Sequence, residues 1–86
     1  MKHFIIYLKI QTGEYEKTIT TLQQGENEQD ATVKAMLCQC HCALEEGADW
    51  LVFGEELEDL YGEFIYTVYD CEEVPQEEAN ILKKYL

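Results

Sequence analysis

Three cysteines and a histidine stand within five residues, Cys38-Gln39-Cys40-His41-Cys42. Thiolates and imidazole are zinc's preferred ligands and Cys–His pairs make nucleophiles, so metal or covalent chemistry is to be sought here first. On a helix, Cys38 and Cys42 lie one turn apart with His41 three residues from Cys38. That supplies three ligands where a structural zinc site takes four, and the fourth would have to be Cys71 or His3. Paired C-x-x-C spacing is absent. A set of Cys38, His41, Cys42 and Cys71 therefore stands as the weaker, metal-binding alternative. The plainer reading makes Cys40 a core residue and Cys38 and Cys42 small packing residues, because a free cysteine behaves as a small hydrophobe. A Cys–His nucleophile fares worse. His41 would point outward alongside its cysteines with no third group to orient it, and negative surroundings raise a thiol's pKa.

The other chemistry-bearing groups are carboxylates. Thirteen of the eighteen acids fall between Glu45 and Glu78, and there is neither Lys nor Arg between Lys34 and Lys83. Trp50, Phe53, Tyr61, Phe64, Tyr66 and Tyr69 are threaded through the same stretch. General acid–base catalysis needs one carboxyl in an apolar pocket. Asp70, at the end of an apolar strand, is the best placed, and a surface role suits it better. Glu55-Glu56-Leu57-Glu58-Asp59 lacks the alternating register and central glycine of a calcium loop. The chain has no Ser and no Arg, which excludes a serine nucleophile, an arginine clamp and the Lys-Ser/Thr phosphate loop. No catalytic set is recognisable, so no enzymatic activity and no cofactor is expected. Acids interleaved with large aromatics instead form the pattern of an interface, in which rings bury area and charges accelerate encounter.

Eighty-six residues make one domain, 1–86. With 47 % hydrophobic residues a core can form, and the net charge of −12 is large for a chain of this size. Such a charge opposes direct binding of nucleic acid or of an anionic membrane and favours a basic partner. The run Phe4-Ile5-Ile6-Tyr7-Leu8 is too short for a signal sequence or a membrane span. Reduced thiols and a cytoplasmic location follow as expectations.

The elements that must position these groups are marked by five glycines and by Pro75. Lys2–Gln11 alternates, with Phe4, Ile6, Leu8 and Ile10 on one face, and predicts a half-buried strand. Gly13 marks a turn, and the Thr-rich stretch Tyr15–Gln23 predicts its hairpin partner. Asn27 is placed to cap a long helix running to Gly47, whose stripe Val33, Met36, Leu37, Cys40, Ala43 and Leu44 should face the sheet. Ala31, Ala35, Cys38 and Cys42 would lie opposite. Asp49–Gly62 is ambiguous: Trp50–Phe53 suits a short strand and Glu55–Tyr61 a helical turn. Glu63–Cys71 predicts a central strand apolar on both sides. Pro75, Glu77 and Glu78 open a short C-terminal helix that Lys83 and Lys84 close. The expectation is an α+β unit, β-β-α-(β)-β-α, with an antiparallel sheet of three to four strands covered by helices on one side.

In size, in charge and in the run Glu55-Glu56-Leu57-Glu58-Asp59 with Asp70, Glu72 and Glu73, the chain resembles the small acidic inhibitors made by bacteriophages. These are the anti-CRISPR proteins and the DNA mimics that block restriction enzymes or uracil-DNA glycosylase. The resemblance is compositional and covers the second half of the chain. It implies inhibition in the host bacterial cytosol, through a Lys/Arg-lined nucleic-acid-binding site such as that of a CRISPR–Cas effector. On this reading Glu45, Glu46, Asp49, Glu55, Glu56, Glu58 and Asp59 are steering charges, and Trp50, Phe53 and Tyr61 are anchors. The alternative is a small homodimeric accessory protein that pairs through Ile5, Tyr7 and Tyr69, with acids serving solubility alone.

Overall fold

A computed structural model of the chain describes residues 2–85. The alternating N-terminal stretch forms β1 (Lys2–Thr12), which turns at Gly13-Glu14 into β2 (Tyr15–Gly25). The two pair antiparallel without a break, from Lys2↔Gly25 to Thr12↔Tyr15. Helix α1 (Glu28–Gln39) follows, then β3 (Asp49–Val52), β4 (Glu56–Asp59), β5 (Phe64–Val74) and α2 (Gln76–Leu82). All pairings between these strands are antiparallel, and the sheet order is β2-β1-β5-β4-β3. The fold is α+β, with five strands where three to four were expected. The added strand is β4, read from sequence as a helical turn.

Residues directly opposite in an antiparallel pair share a face, so the register sorts the side chains. One face carries Phe4, Ile6, Leu8 and Ile10 of β1, then Cys71, Val68, Tyr66 and Phe64 of β5, and Leu57 of β4. Helix α1 covers it. Fully burying side chains such as Ile6, Leu8, Met36 and Leu57 stabilises by about 1.5–3 kcal/mol each, an upper bound because the unfolded chain is itself partly collapsed.

Helix α1 starts as expected. The Asn27 side chain accepts the Asp30 N–H at 2.8 Å, and Glu28 and Asp30 sit in the first turn, where the helix dipole favours them. Its inner face is a correction. The buried residues are Ala31, Thr32, Ala35 and Met36, whereas Leu37 is 38 % exposed. Bulky residues already fill the sheet face, so the small side of the helix is the side that can approach closely. At Gly25 the approach is closest, since a Cβ there would lie 2.8 Å from the Ala31 nitrogen.

The helix also stops at Gln39, eight residues short of Gly47, and Cys40 takes an extended backbone. Helix α2 begins after Pro75, which serves as its cap. It does not join α1 over the same face. His3, which points to the opposite side of β1, is buried and lies 2.6 Å through Nε2 from Gln76 Oε1. Val74, paired with His3, and Ala79 of α2 are buried as well. Thus α2 caps the His3 end of the second face and leaves the rest of it open. No helix among the described residues is long and apolar enough to cross a membrane.

Candidate functional site

The open face is built by the same alternation that fills the core. Tyr7, Ile5 and Lys9 of β1 stand opposite Asp70, Glu72 and Thr67 of β5. Next to these come Glu56 and Glu58 of β4, opposite Thr67 and Ile65, and then Asp49 of β3, opposite Glu58. Five carboxylates (Asp49, Glu56, Glu58, Asp70 and Glu72) therefore share one side of three adjacent strands. The three ion pairs among the described residues are Lys2–Glu73, Lys9–Glu16 and Lys34–Asp30, at 3.7, 3.5 and 3.1 Å, and none involves these five. No direct ion pair among the described residues offsets them, and Lys9 on the same side is taken by Glu16, so a net negative potential stands over this side of the sheet.

Aromatic rings lie inside the patch. The β1–β5 register shifts between Tyr7 and Leu8, so that Tyr69 is an extra residue in β5. A bulge of this kind sends two successive side chains to one side. The Tyr69 ring accordingly meets Tyr7 at a centroid distance of 5.9 Å, tilted by 45°. Tyr69 is 54 % exposed. Partial burial, and then the Glu72 and Asp70 carboxylates, hold the Tyr7 hydroxyl neutral to higher pH than usual. The surface is anionic and aromatic together. Its charge opposes phosphate and favours ammonium or guanidinium groups, which are attracted by charge and by ring faces alike.

Of the residues expected to meet a partner, Asp49, Glu56 and Glu58 belong to this face. Glu45 and Glu46 are exposed in the turn Ala43–Ala48, where Glu45 has a left-handed φ of 67°. Glu55 is exposed at the β3–β4 turn and lines a groove of about 400 Å³ with Glu28 of α1, Phe53 and Cys71. Trp50 points to the covered face, packs against the core, and meets Phe53 edge-on at 5.3 Å. It is half-buried and faces away from the open side, where a partner-binding anchor was expected. Phe53 and Tyr61 are 59 % and 86 % exposed and lie off the open face.

Asp59 overturns the expectation of a steering charge, because it has no exposed surface. Its Oδ2 accepts the His41 N–H at 2.7 Å and Oδ1 accepts the Cys42 N–H at 3.0 Å and the Leu60 N–H at 2.9 Å. The Tyr66 hydroxyl lies 3.0 Å from Oδ2 and 3.1 Å from the Gln39 carbonyl. Burial alone would raise the pKa of this carboxyl, but the donated bonds outweigh it and the net shift is downward. Asp59 is the node that ends α1, since it takes the first two amides beyond the Cys40 cap. It also steadies the β4–β5 turn, where Leu60 and Tyr61 hold left-handed φ values of 52° and 56°.

The same termination breaks the helical spacing on which the metal alternative rested. His41 and Cys42 are off the helix, so the one-turn spacing from Cys38 is not realised. Among the described residues, no group of three or more His, Cys, Asp and Glu side chains is placed to hold a metal ion. All four cysteines are free thiols. Burial pushes Cys40 up to about 11, with Asp59 adding to it, and pushes Cys71 up to about 11, with Glu28 adding to it. Both are protonated and weakly nucleophilic at neutral pH.

Asp70 and Glu72, with Tyr7 and Tyr69, complete the face although they were not among the expected partner-binding residues. The signal that could have placed them is the two-residue alternation Asp70-Cys71-Glu72 at the end of an apolar strand. Comparison with known protein families, curated proteins and solved structures finds no match to this chain.

Proposed function

We propose that this chain is a non-catalytic binding protein that uses the open sheet face to occupy a Lys/Arg-lined, nucleic-acid-binding site on another protein. The observation that carries the reading is the gathering of Asp49, Glu56, Glu58, Asp70 and Glu72 on one uncovered face, with Tyr7 and Tyr69 beside them and, among the described residues, no cation paired to any of the five. Alternate carboxylates on one strand are about 6.8 Å apart, a spacing of the same order as the repeat of a nucleic-acid backbone. Resemblance to phage anti-CRISPR and DNA-mimic inhibitors supplies the class of target: a host defence complex, such as a CRISPR–Cas effector, in the bacterial cytoplasm. The same charge opposes the alternative homodimer through Ile5, Tyr7 and Tyr69, because pairing that face with itself would bring two sets of carboxylates together.

The test is retention of a nucleic-acid-handling complex from a bacterial lysate at low salt, followed by elution on a salt ramp. Steering by exposed charge is screened over about 8–10 Å at physiological salt, so retention should fall steeply as salt rises. Reversing Glu56, Glu58, Asp70 and Glu72 to Lys should abolish retention while the circular dichroism spectrum is unchanged. Reversing Glu77 and Glu78 on α2 should leave retention intact. Salt-independent binding, or equal loss in both variants, would refute the assignment.

A further inference from the structure

We infer that the outer edge of β2 is a self-association edge, along which two copies pair antiparallel to form a continuous ten-stranded sheet. Strand β2 is the first strand of the sheet and, among the described residues, pairs with β1 alone, so its other side presents a row of unpaired backbone donors and acceptors along Tyr15–Gly25. Eleven residues extend for roughly 36 Å, nearly the 39 Å length of the whole molecule.

Natural sheets guard such edges with brevity, charge, proline or a bulge. The opposite edge has three of these: β3 is four residues long, opens on Asp49 and is irregular between Trp50 and Val52. Strand β2 has none along its centre. Its register is unbroken, it contains no proline, and Thr18-Ile19-Thr20-Thr21-Leu22-Gln23-Gln24 carries no charge in a chain of net charge −12. Thr18 and Thr20 are exposed, and β-branched residues dominate, as suits a pleated surface.

Charge selects the occupant. A basic partner finds nothing to attract it on this neutral strip. A second copy meets its like across the uncharged strip Thr18–Gln24, and the sheet order keeps the two open-face acidic patches apart. In the paired sheet the open-face acids of the two β5 copies are five strand spacings apart, or about 24 Å, beyond the screening length of about 8–10 Å; the one acid within β2, Glu16, is ion-paired with Lys9, and Glu14 and Glu26 lie outside the uncharged strip. Antiparallel pairing about a twofold axis is self-complementary, since each residue contacts its own counterpart's partner. The same axis sets the two α1 helices side by side, because the Cys38 flank of α1 lies over β2, with Cys38 Sγ 3.8 Å from Gln23 Nε2.

The experiment is sedimentation equilibrium of the full chain over a roughly hundredfold range of concentration. The wild-type chain should pass from monomer to dimer. Thr20→Lys puts two like charges near the twofold axis without touching the covered face, and it should weaken the dimer at least tenfold. Tyr69→Thr on the open face should leave it unchanged. Hydrogen exchange adds a readout on the wild-type chain itself: β2 amides should gain protection as concentration rises. A wild-type chain that stays monomeric, a Thr20→Lys dimer of unchanged affinity, a dimer lost with Tyr69→Thr, or β2 exchange independent of concentration would each overturn the inference.

Discussion

Asp59→Asn is nearly isosteric and removes only the charge, so its cost is set by the hydrogen bonds that Asp59 now accepts. The carboxylate serves three backbone amides and the Tyr66 hydroxyl. An asparagine retains one acceptor oxygen, enough for the Cys42 and Leu60 amides. Its NH2 group then occupies the place of Oδ2. The Tyr66 hydroxyl adapts by accepting from it and donating to the Gln39 carbonyl. The His41 N–H cannot adapt, and it is left facing another donor. Leaving a buried donor unsatisfied costs about 1–3 kcal/mol, and demoting two charge-assisted bonds to neutral ones costs about 1 kcal/mol each. Relief of the carboxylate's desolvation offsets part of this. The downward pKa shift shows that the bonds outweigh burial, so the net effect is destabilising, by about 3 kcal/mol. That is a large share of the roughly 4–13 kcal/mol available to a domain of this size.

Urea unfolding followed by the fluorescence of Trp50, the sole tryptophan, reads this as a midpoint lower by about 2 M at an m-value near 1.5 kcal/mol/M. The pH dependence adds an independent check. A carboxyl whose folded pKa is depressed contributes stability that is full above its unfolded value of about 4 and is lost as pH falls through the folded value. The asparagine variant has no such contribution, so the gap between the two proteins should be constant above about pH 5 and should narrow in acid. A gap under about 1 kcal/mol at neutral pH, or one that persists unchanged in strong acid, would refute the role assigned to Asp59.

Two further outcomes follow from packing and burial. Gly25→Ala places a Cβ 2.8 Å from the Ala31 nitrogen, so helix and strand must separate; overpacking of this kind costs about 1–3 kcal/mol and should lower the thermal midpoint by several degrees. With a thiol-reactive disulfide at pH 8, exposed Cys38 should label first in the folded protein, while the partly buried Cys40 and Cys71, each pushed up to about 11, should label much more slowly; Cys38→Ala should remove the fastest phase.

The parts of the fold legible in the sequence were those set by neighbours in the chain. The β1 alternation, the Gly13 turn and the Asn27 cap are local, and each is found where its pattern places it. What was not legible depends on Asp59. Nothing near Cys40 says that a carboxylate many positions later will take the His41 and Cys42 amides and so end the helix there. Strand β4 was hidden by the same residue. Its burial alternates, with Leu57 and Asp59 inward and Glu56 and Glu58 outward. An inward aspartate, however, looks polar in sequence, and the run then resembles an acidic helical turn. The candidate face was half visible for a related reason: its β3 and β4 carboxylates lie in the expected stretch, whereas Asp70 and Glu72 reach the same side only through the β1–β5 register.

The surplus residue in β5 has a consequence for length variation along this strand. Removing one residue from an ordinary position in a strand inverts everything beyond it, so inward groups turn to water and outward groups turn to the interior. Tyr69 is the exception: excising it would let Val68 run directly into Asp70 with the two sides already in phase. At that point alone the strand can shorten by one residue and keep its acidic side acidic and its oily side oily, at the loss of a single ring.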